Sequence, residues 1–258
     1  MPRLIDTHTR DKLVTLSRYL PVYLGATRRA LERVYIDAFA GPGTNRLRGT
    51  GEVLDGSPLV AVGAKSKKGS AFSRFFFIEQ DPVLASELEG VLKKQADSRP
   101  MKVIRGDANV ELPRIIRAIN RRSPTFLFLD PEGIDPYWKT IESVAPWRTE
   151  LLINVPLGMS INRNWDSAKV LDYFGSSDAV KMWQSGSPTW RRELLDFYKL
   201  RLKKLGYIYP TGDDILVRRQ SGQHLYYLVH VSKVEPAPRI MQWVQRQPTA
   251  AGQLRLKI

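Results

Sequence analysis

Val34-Tyr35-Ile36-Asp37-Ala38-Phe39-Ala40-Gly41-Pro42-Gly43 is a short apolar run that closes on an acidic side chain and two nearby glycines. A run without polar alternation fits a strand buried on both faces of a parallel sheet. Glycines directly after it permit a tight turn and let a ligand approach the backbone closely. The same plan recurs along the chain. Phe75-Phe76-Phe77-Ile78 leads into Glu79-Gln80-Asp81, and 102–105 leads into Gly106-Asp107-Ala108-Asn109. Phe126-Leu127-Phe128-Leu129 leads into Asp130-Pro131-Glu132-Gly133, and 150–155 forms a fifth run.

Helical patterns separate these runs. A helix is predicted over 9–32, ahead of the first strand, and others over 83–94, 110–120 and 138–145. Strand and helix in repeated alternation predict an α/β fold with a doubly wound, mostly parallel sheet. The last third changes character. Residues 190–205 form an amphipathic helix, with Leu194, Leu195, Tyr198, Leu202 and Leu205 on one face and Gly206 just past its end. The stretches 207–219 and 225–231 then read as an antiparallel hairpin at the sheet edge, followed by a short helix at 239–245 and a basic tail. A parallel sheet ending in such a hairpin is the plan of Rossmann-like methyltransferases. No Gly/Ser-rich or Pro-rich linker divides the chain. A single domain is expected over 1–258, with a helical N-terminal segment (9–33), a core (34–232) and a C-terminal helix and tail (233–258).

At 258 residues, with 43% hydrophobic and 26% charged residues, disorder, collagen and a repeat solenoid are excluded. No apolar run reaches the roughly 18 residues needed to span a bilayer, and no signal peptide is visible, so a cytoplasmic protein is expected. There is no cysteine, which removes disulfides, a thiol nucleophile and thiolate metal sites. The three histidines (His8, His224 and His230) are too few for a His-rich zinc site, and no metal centre is expected. Forty lysines and arginines against 26 acidic residues leave a net charge of +14. Such an excess favours an anionic partner, nucleic acid first, because neutralising phosphates releases counterions.

The strand ends supply the candidate site, since ligands of open α/β sheets bind beyond the carboxyl ends of the strands. A dinucleotide fingerprint would carry a third glycine, but Thr44, Asn45 and Arg46 follow Gly43. An acidic residue in that turn repels a diphosphate and suits a cationic ligand. S-adenosylmethionine carries an ammonium and a sulfonium group. Asp37, Phe39, Gly41 and Gly43 are therefore assigned to its methionine part, and Glu79 to the ribose hydroxyls. Asp107 and the backbone at Ala108 are assigned to its adenine. Asp81 is read as the cap of the following helix.

Methyl transfer is an in-line displacement at carbon, so the protein chiefly positions groups and handles one proton. Asp130 is placed at the acceptor, with Glu132 and Asn154 beside it. Tyr137 and Trp138 are candidates for stacking a base, and Arg163 and Asn164 for holding the substrate.

With these residues in place, the chain resembles the three-Cys-motif partner (TcmP) family of methyltransferase-like proteins. The resemblance rests on residues 35–43, Gly56-Ser57-Pro58-Leu59, Gly106-Asp107-Ala108-Asn109, and Phe128-Leu129-Asp130-Pro131-Glu132-Gly133 with Trp138. Leu152-Ile153-Asn154, Asn162-Arg163-Asn164 and Tyr226-Tyr227-Leu228-Val229 complete the set, which spans roughly residues 10 to 245. It implies a Rossmann-like fold, an S-adenosylmethionine site and a possible protein partner. Asp130-Pro131 is also similar to the Asp-Pro-Pro-aromatic motif of adenine-N6 methyltransferases. Here Glu132 and Gly133 occupy the last two positions, so the base-stacking ring of that motif is missing. The leading expectation is an S-adenosylmethionine-dependent methyltransferase acting on an RNA or DNA base. A silent nucleic-acid-binding protein of the same fold is the alternative, and an NAD-dependent oxidoreductase comes third.

Overall fold

The chain enters through β1 (Arg3–Ile5) and the long helix α1 (Thr7–Ala26), in a computed structural model that describes residues 3–158, 165–208, 215–218, 224–235, 237 and 239–241. The central strand β2 (Val34–Asp37) follows, then β3 (Thr44–Leu47), β4 (Val53–Asp55) and α2 (Ser57–Gly63). Next come β5 (Arg74–Glu79) with α3 (Pro82–Lys93), and β6 (Met101–Arg105) with α4 (Ala108–Arg117). After β7 (Thr125–Leu129), α5 (Trp138–Val144) leads to β8 (Thr149–Val155). The helices α6 (Ser167–Phe174), α7 (Ser177–Gln184) and α8 (Trp190–Lys204) then precede β9 (Ile215–Arg218) and β10 (His224–Val231).

The main sheet has the order β6-β5-β2-β7-β8-β10-β9. It is parallel from β6 to β8, while β10 runs antiparallel to both β8 and β9. This is the α/β sheet expected from the apolar runs, with its antiparallel pair at one edge. Side chains alternate across it, as the two-residue period of a strand requires. Val34 and Ile36 join Leu127, Leu129, Ile153 and the helices α4 to α8 on one face. Tyr35 joins Phe75, Phe77, Phe126 and Phe128 on the other, beneath α1, α2 and α3. That second face is aromatic, with Tyr35 and Phe126 stacked at 6.1 Å and Phe75 and Phe77 at 5.9 Å. Asp37 shares the face of Tyr35, which decides its environment.

Some expectations shift. The N-terminal helix stops at Ala26 rather than running to 32, and Leu31 is fully exposed. Beyond Leu24 no apolar stripe remains to be buried, and Gly25 and Thr27 are weak helix formers. Of the expected strand at 207–219, Ile215–Arg218 pairs with β10 and Ile208 bridges to Ser232, while 209–214 and 219 lie outside the described residues. The predicted helix at 239–245 is described only at its start. A second, small sheet, β1-β3-β4, adds to the expected plan, as do α6 and α7. Strands of three or four residues and helices of eight carry too few residues for a period to show.

Candidate active site

Chain order reverses between β2 and β7: one connection leaves β2 toward β5, and β7 returns on its other side. Loops diverge at such a point, opening a crevice beyond the carboxyl ends of the strands. A cleft of about 1380 Å³ lies here. It exceeds the volume of a typical single-ligand pocket, so it has room for a cofactor and an acceptor together.

The glycine turn after β2 forms part of its wall. Gly41 and Gly43 have φ of +62° and +83°, a region that L side chains avoid. A Cβ at Gly43 would come within 2.8 Å of Leu88 on α3, so the glycine also permits the close packing of that helix. At Gly41 a Cβ would meet only open space, and its N–H donates to Glu79 Oε2 at 2.8 Å. Glu79 Oε1 accepts from the Asp81 N–H at 2.9 Å, so this carboxylate ties the ends of β2 and β5 together.

Asp130, at the end of β7, is the most constrained group of the cleft. Lys12 of α1 binds both of its oxygens, the Oδ2 contact measuring 2.6 Å, and Asn154 Nδ2 donates to Oδ1 at 2.8 Å. Only 8% of the Lys12 side chain and 17% of that of Asp130 is exposed, so the ion pair is largely removed from water. A carboxylate has about four lone-pair sites, and three are used here. Asn154, 5% exposed, keeps an Oδ1 without a protein partner. Lys12 also stands 4.8 Å from the ring centre of Tyr226. Burial, reinforced by the Asp130 charge, raises the pKa of Tyr226 and keeps its hydroxyl protonated.

Lys12 is a cleft residue that the sequence reading did not assign to the site. It lies four and seven residues before Leu16 and Tyr19, on the stripe that packs against the sheet. A cation in an apolar stripe was the available signal.

The other predicted residues divide between the cleft and its supports. Phe39, Gly41, Gly43, Asp130, Glu132, Tyr137 and Asn154 line the cleft. Glu132 lies on an exposed rim, paired with Arg3 of β1. Asp107 caps α4 through the Asn109 N–H at 2.7 Å, and Ala108 is buried behind it. Asp81 caps α3 as read. Two assignments need correction. Asp37 is fully buried beneath the turn rather than on the cleft wall, and accepts from the Phe39 N–H, the Tyr35 hydroxyl and Ser57. Trp138 is 2% exposed and packs edge-on against Tyr198, so its ring is not available to a base. Arg163 and Asn164 lie outside the described residues.

Burial raises the carboxyl of Asp37 from its ordinary 3.8 to about 7, with the charge of Asp130 acting in the same direction. Its three hydrogen bonds oppose the shift without overcoming it. Among the described residues, no group of three acidic or histidine side chains is placed to hold a metal ion.

No protein-family model and no curated protein matches the sequence. Solved structures do resemble the fold. Protein LPL1258 from Legionella pneumophila is 11% identical, with a TM-score of 0.55 over 93% of this chain and 92% of its own. The O-methyltransferase from Bacillus cereus in complex with SAH is 12% identical, with a TM-score of 0.51 over 86% of this chain and 81% of its own. The chain therefore shares with these structures an α/β fold built on a mostly parallel central sheet with helices on both faces.

The buried ion pair and the buried acid each have a measurable consequence. Replacing Lys12 with Met leaves Asp130 without its counter-charge and should cost about 3 kcal/mol in urea unfolding, most of it recovered in the Lys12→Met, Asp130→Asn pair. A single-variant loss below about 0.5 kcal/mol would place the pair at the solvated surface. Asp37 holds its proton more tightly in the folded protein than in the unfolded chain. Its contribution is complete below about pH 4 and is lost as pH rises through about 7. Relative to Asp37→Asn, the wild type should therefore lose a few kcal/mol of stability, up to about 4, across that window. A pH-independent difference between the two proteins contradicts this.

Proposed function

We propose that the protein is an S-adenosylmethionine-dependent methyltransferase acting on a nucleic-acid base. One observation carries the reading. The sheet's switch point presents an open glycine turn on one side and, on the other, a buried carboxylate with a hydrogen-bonding site left over. The cleft fits the cofactor chemically. Asp130 and Asp135 bring carboxylates to it, the former with an accepting site left on Oδ2, and the turn at Gly41 is open to close approach.

When bound, S-adenosylmethionine supplies an electrophilic methyl group. The chain's own residues would do the rest. Phe39, Gly41 and Gly43 border the methionine part, with Asp37 acting from beneath by holding the Phe39 N–H. Glu79, which braces the turn through the Gly41 N–H, would take the ribose, and Asp107 with the Ala108 backbone would take the adenine. Asp130 would accept a hydrogen bond from the acceptor at its remaining lone pair on Oδ2, orienting the nucleophile and taking up the proton that the methylated acceptor loses. Lys12 and Asn154 keep that carboxylate in one orientation, and Tyr137 offers a ring for stacking. A nucleic-acid acceptor draws its support from the net charge of +14. Kinship with the three-Cys-motif partner family, a protein partner and a cytoplasmic setting belong to the same proposal and rest on the motif set and the cysteine-free composition.

The alternative of a nucleic-acid-binding protein without transfer draws on the Lys12–Asp130 pair, which occupies much of the carboxylate. Methyl label from the cofactor, followed into RNA, DNA and protein pools, separates the two. Label is expected in a nucleic-acid pool, and Asp130→Asn should reduce it about 100-fold or more while S-adenosylhomocysteine affinity changes less than about threefold. Label in protein alone, or full activity in the variant, contradicts the reading.

A further inference from the structure

Charges of both signs line the cleft near β1, α1 and the end of β7, where Arg3 pairs with Glu132, Lys12 pairs with Asp130, and Asp6 and Asp135 complete the acids. The opposite wall differs. From α6 and α8, the charged side chains on the cleft are Lys169, Arg191 and Arg192, with Thr189 beside them. The acid of the first turn of α8, Glu193, is drawn back by Thr189 Oγ1 at 2.5 Å and Ser187 Oγ at 3.1 Å. Arg191 lies over the Trp190 ring at 4.4 Å, which restrains the guanidinium at the cleft. Arg192 is shared with Asp196 at 3.0 Å, an exposed pair in which both side chains are more than half open to water. Such a pair is weak enough to be shared with a stronger anion. Asn154 also lines the cleft, and its buried Oδ1 has no protein partner.

A wall whose charged side chains are all basic is suited to an anionic ligand. We propose that Lys169, Arg191 and Arg192 form a subsite for a backbone phosphate of the nucleic-acid acceptor. This rests on the nucleic-acid reading above and adds its geometry. Phosphate contacts fix the register of a strand without reading its sequence. The subsite would hold the strand while its base enters the cleft.

The test uses anisotropy with a fluorescent single-stranded RNA of mixed sequence and its DNA counterpart, across a series of salt concentrations. The variant carries Lys169→Gln, Arg191→Gln and Arg192→Gln. A control of equal charge loss carries Arg114→Gln, Arg117→Gln and Arg122→Gln, exposed positions in the second half of α4 and beyond it, toward the opposite edge of the sheet. For a single strand, every phosphate that the protein ceases to neutralise reduces the slope of log K against log salt by about 0.7. The cleft variant should therefore bind about tenfold more weakly at moderate salt, with a slope reduced by about 2, while the control changes far less. Unchanged S-adenosylhomocysteine binding reports that each variant is folded, and Arg191→Gln alone serves if the triple variant is not. Equal losses in variant and control overturn the subsite but leave the methyltransferase reading standing. A wild type that binds S-adenosylhomocysteine but neither RNA nor DNA overturns the nucleic-acid acceptor itself.

Discussion

A carboxylate carried out of water at the end of a buried strand is costly unless it finds a counter-charge and hydrogen bonds. Asp130 finds both in Lys12 and Asn154, and much of the architecture exists to bring those two groups to it. Asn154 arrives on β8, the parallel neighbour of β7. Lys12 arrives from the other end of the chain, on a helix whose Leu16, Tyr19 and Tyr23 are buried against the aromatic face of the sheet. A second buried carboxylate locks that helix in place. Glu150 on β8 accepts from the Tyr19 hydroxyl and from Ser232 Oγ at 2.8 Å, and lies 3.0 Å from His230 Nε2. The position of Lys12 is thus set by packing and by a polar network well away from the cleft.

The glycine turn answers to the same constraint. β2 and β7 are neighbours in register, with Asp37 paired to Phe128, so their carboxyl ends open side by side. One end becomes a turn that only glycine can make, and the other delivers Asp130. Asp37 lies between them and is fully buried, which raises its carboxyl to about 7. Below that pH it is largely neutral, so its part in the site is to hold the turn through the Phe39 N–H rather than to attract a cation.

Much of this was legible in the residue pattern. Near-continuous apolar runs such as Phe126-Leu127-Phe128-Leu129 announced buried parallel strands, and this run ends at Asp130 on the cleft while Phe75–Ile78 ends at Glu79, which braces the glycine turn. The limits have physical causes. Period alone placed Asp37 on a strand end, but its exposure depends on α2 packing over that face and bringing Ser57 to it. Trp138 begins a helix next to the site, yet the helix turns its ring into the core against Tyr198. Lys12 was passed over because the partner of a helical lysine, 118 residues away, cannot be read from a local pattern. The basic wall of the cleft was hidden for a related reason, since α6 and α8 meet at the site only after the chain folds back.

Titration calorimetry of the folded protein with S-adenosylhomocysteine, and separately with NAD, tests the central claim most directly. The account predicts one site of micromolar affinity for the first and no measurable binding of the second. Binding of NAD alone, or of neither ligand by a protein whose circular dichroism shows it folded, would contradict it.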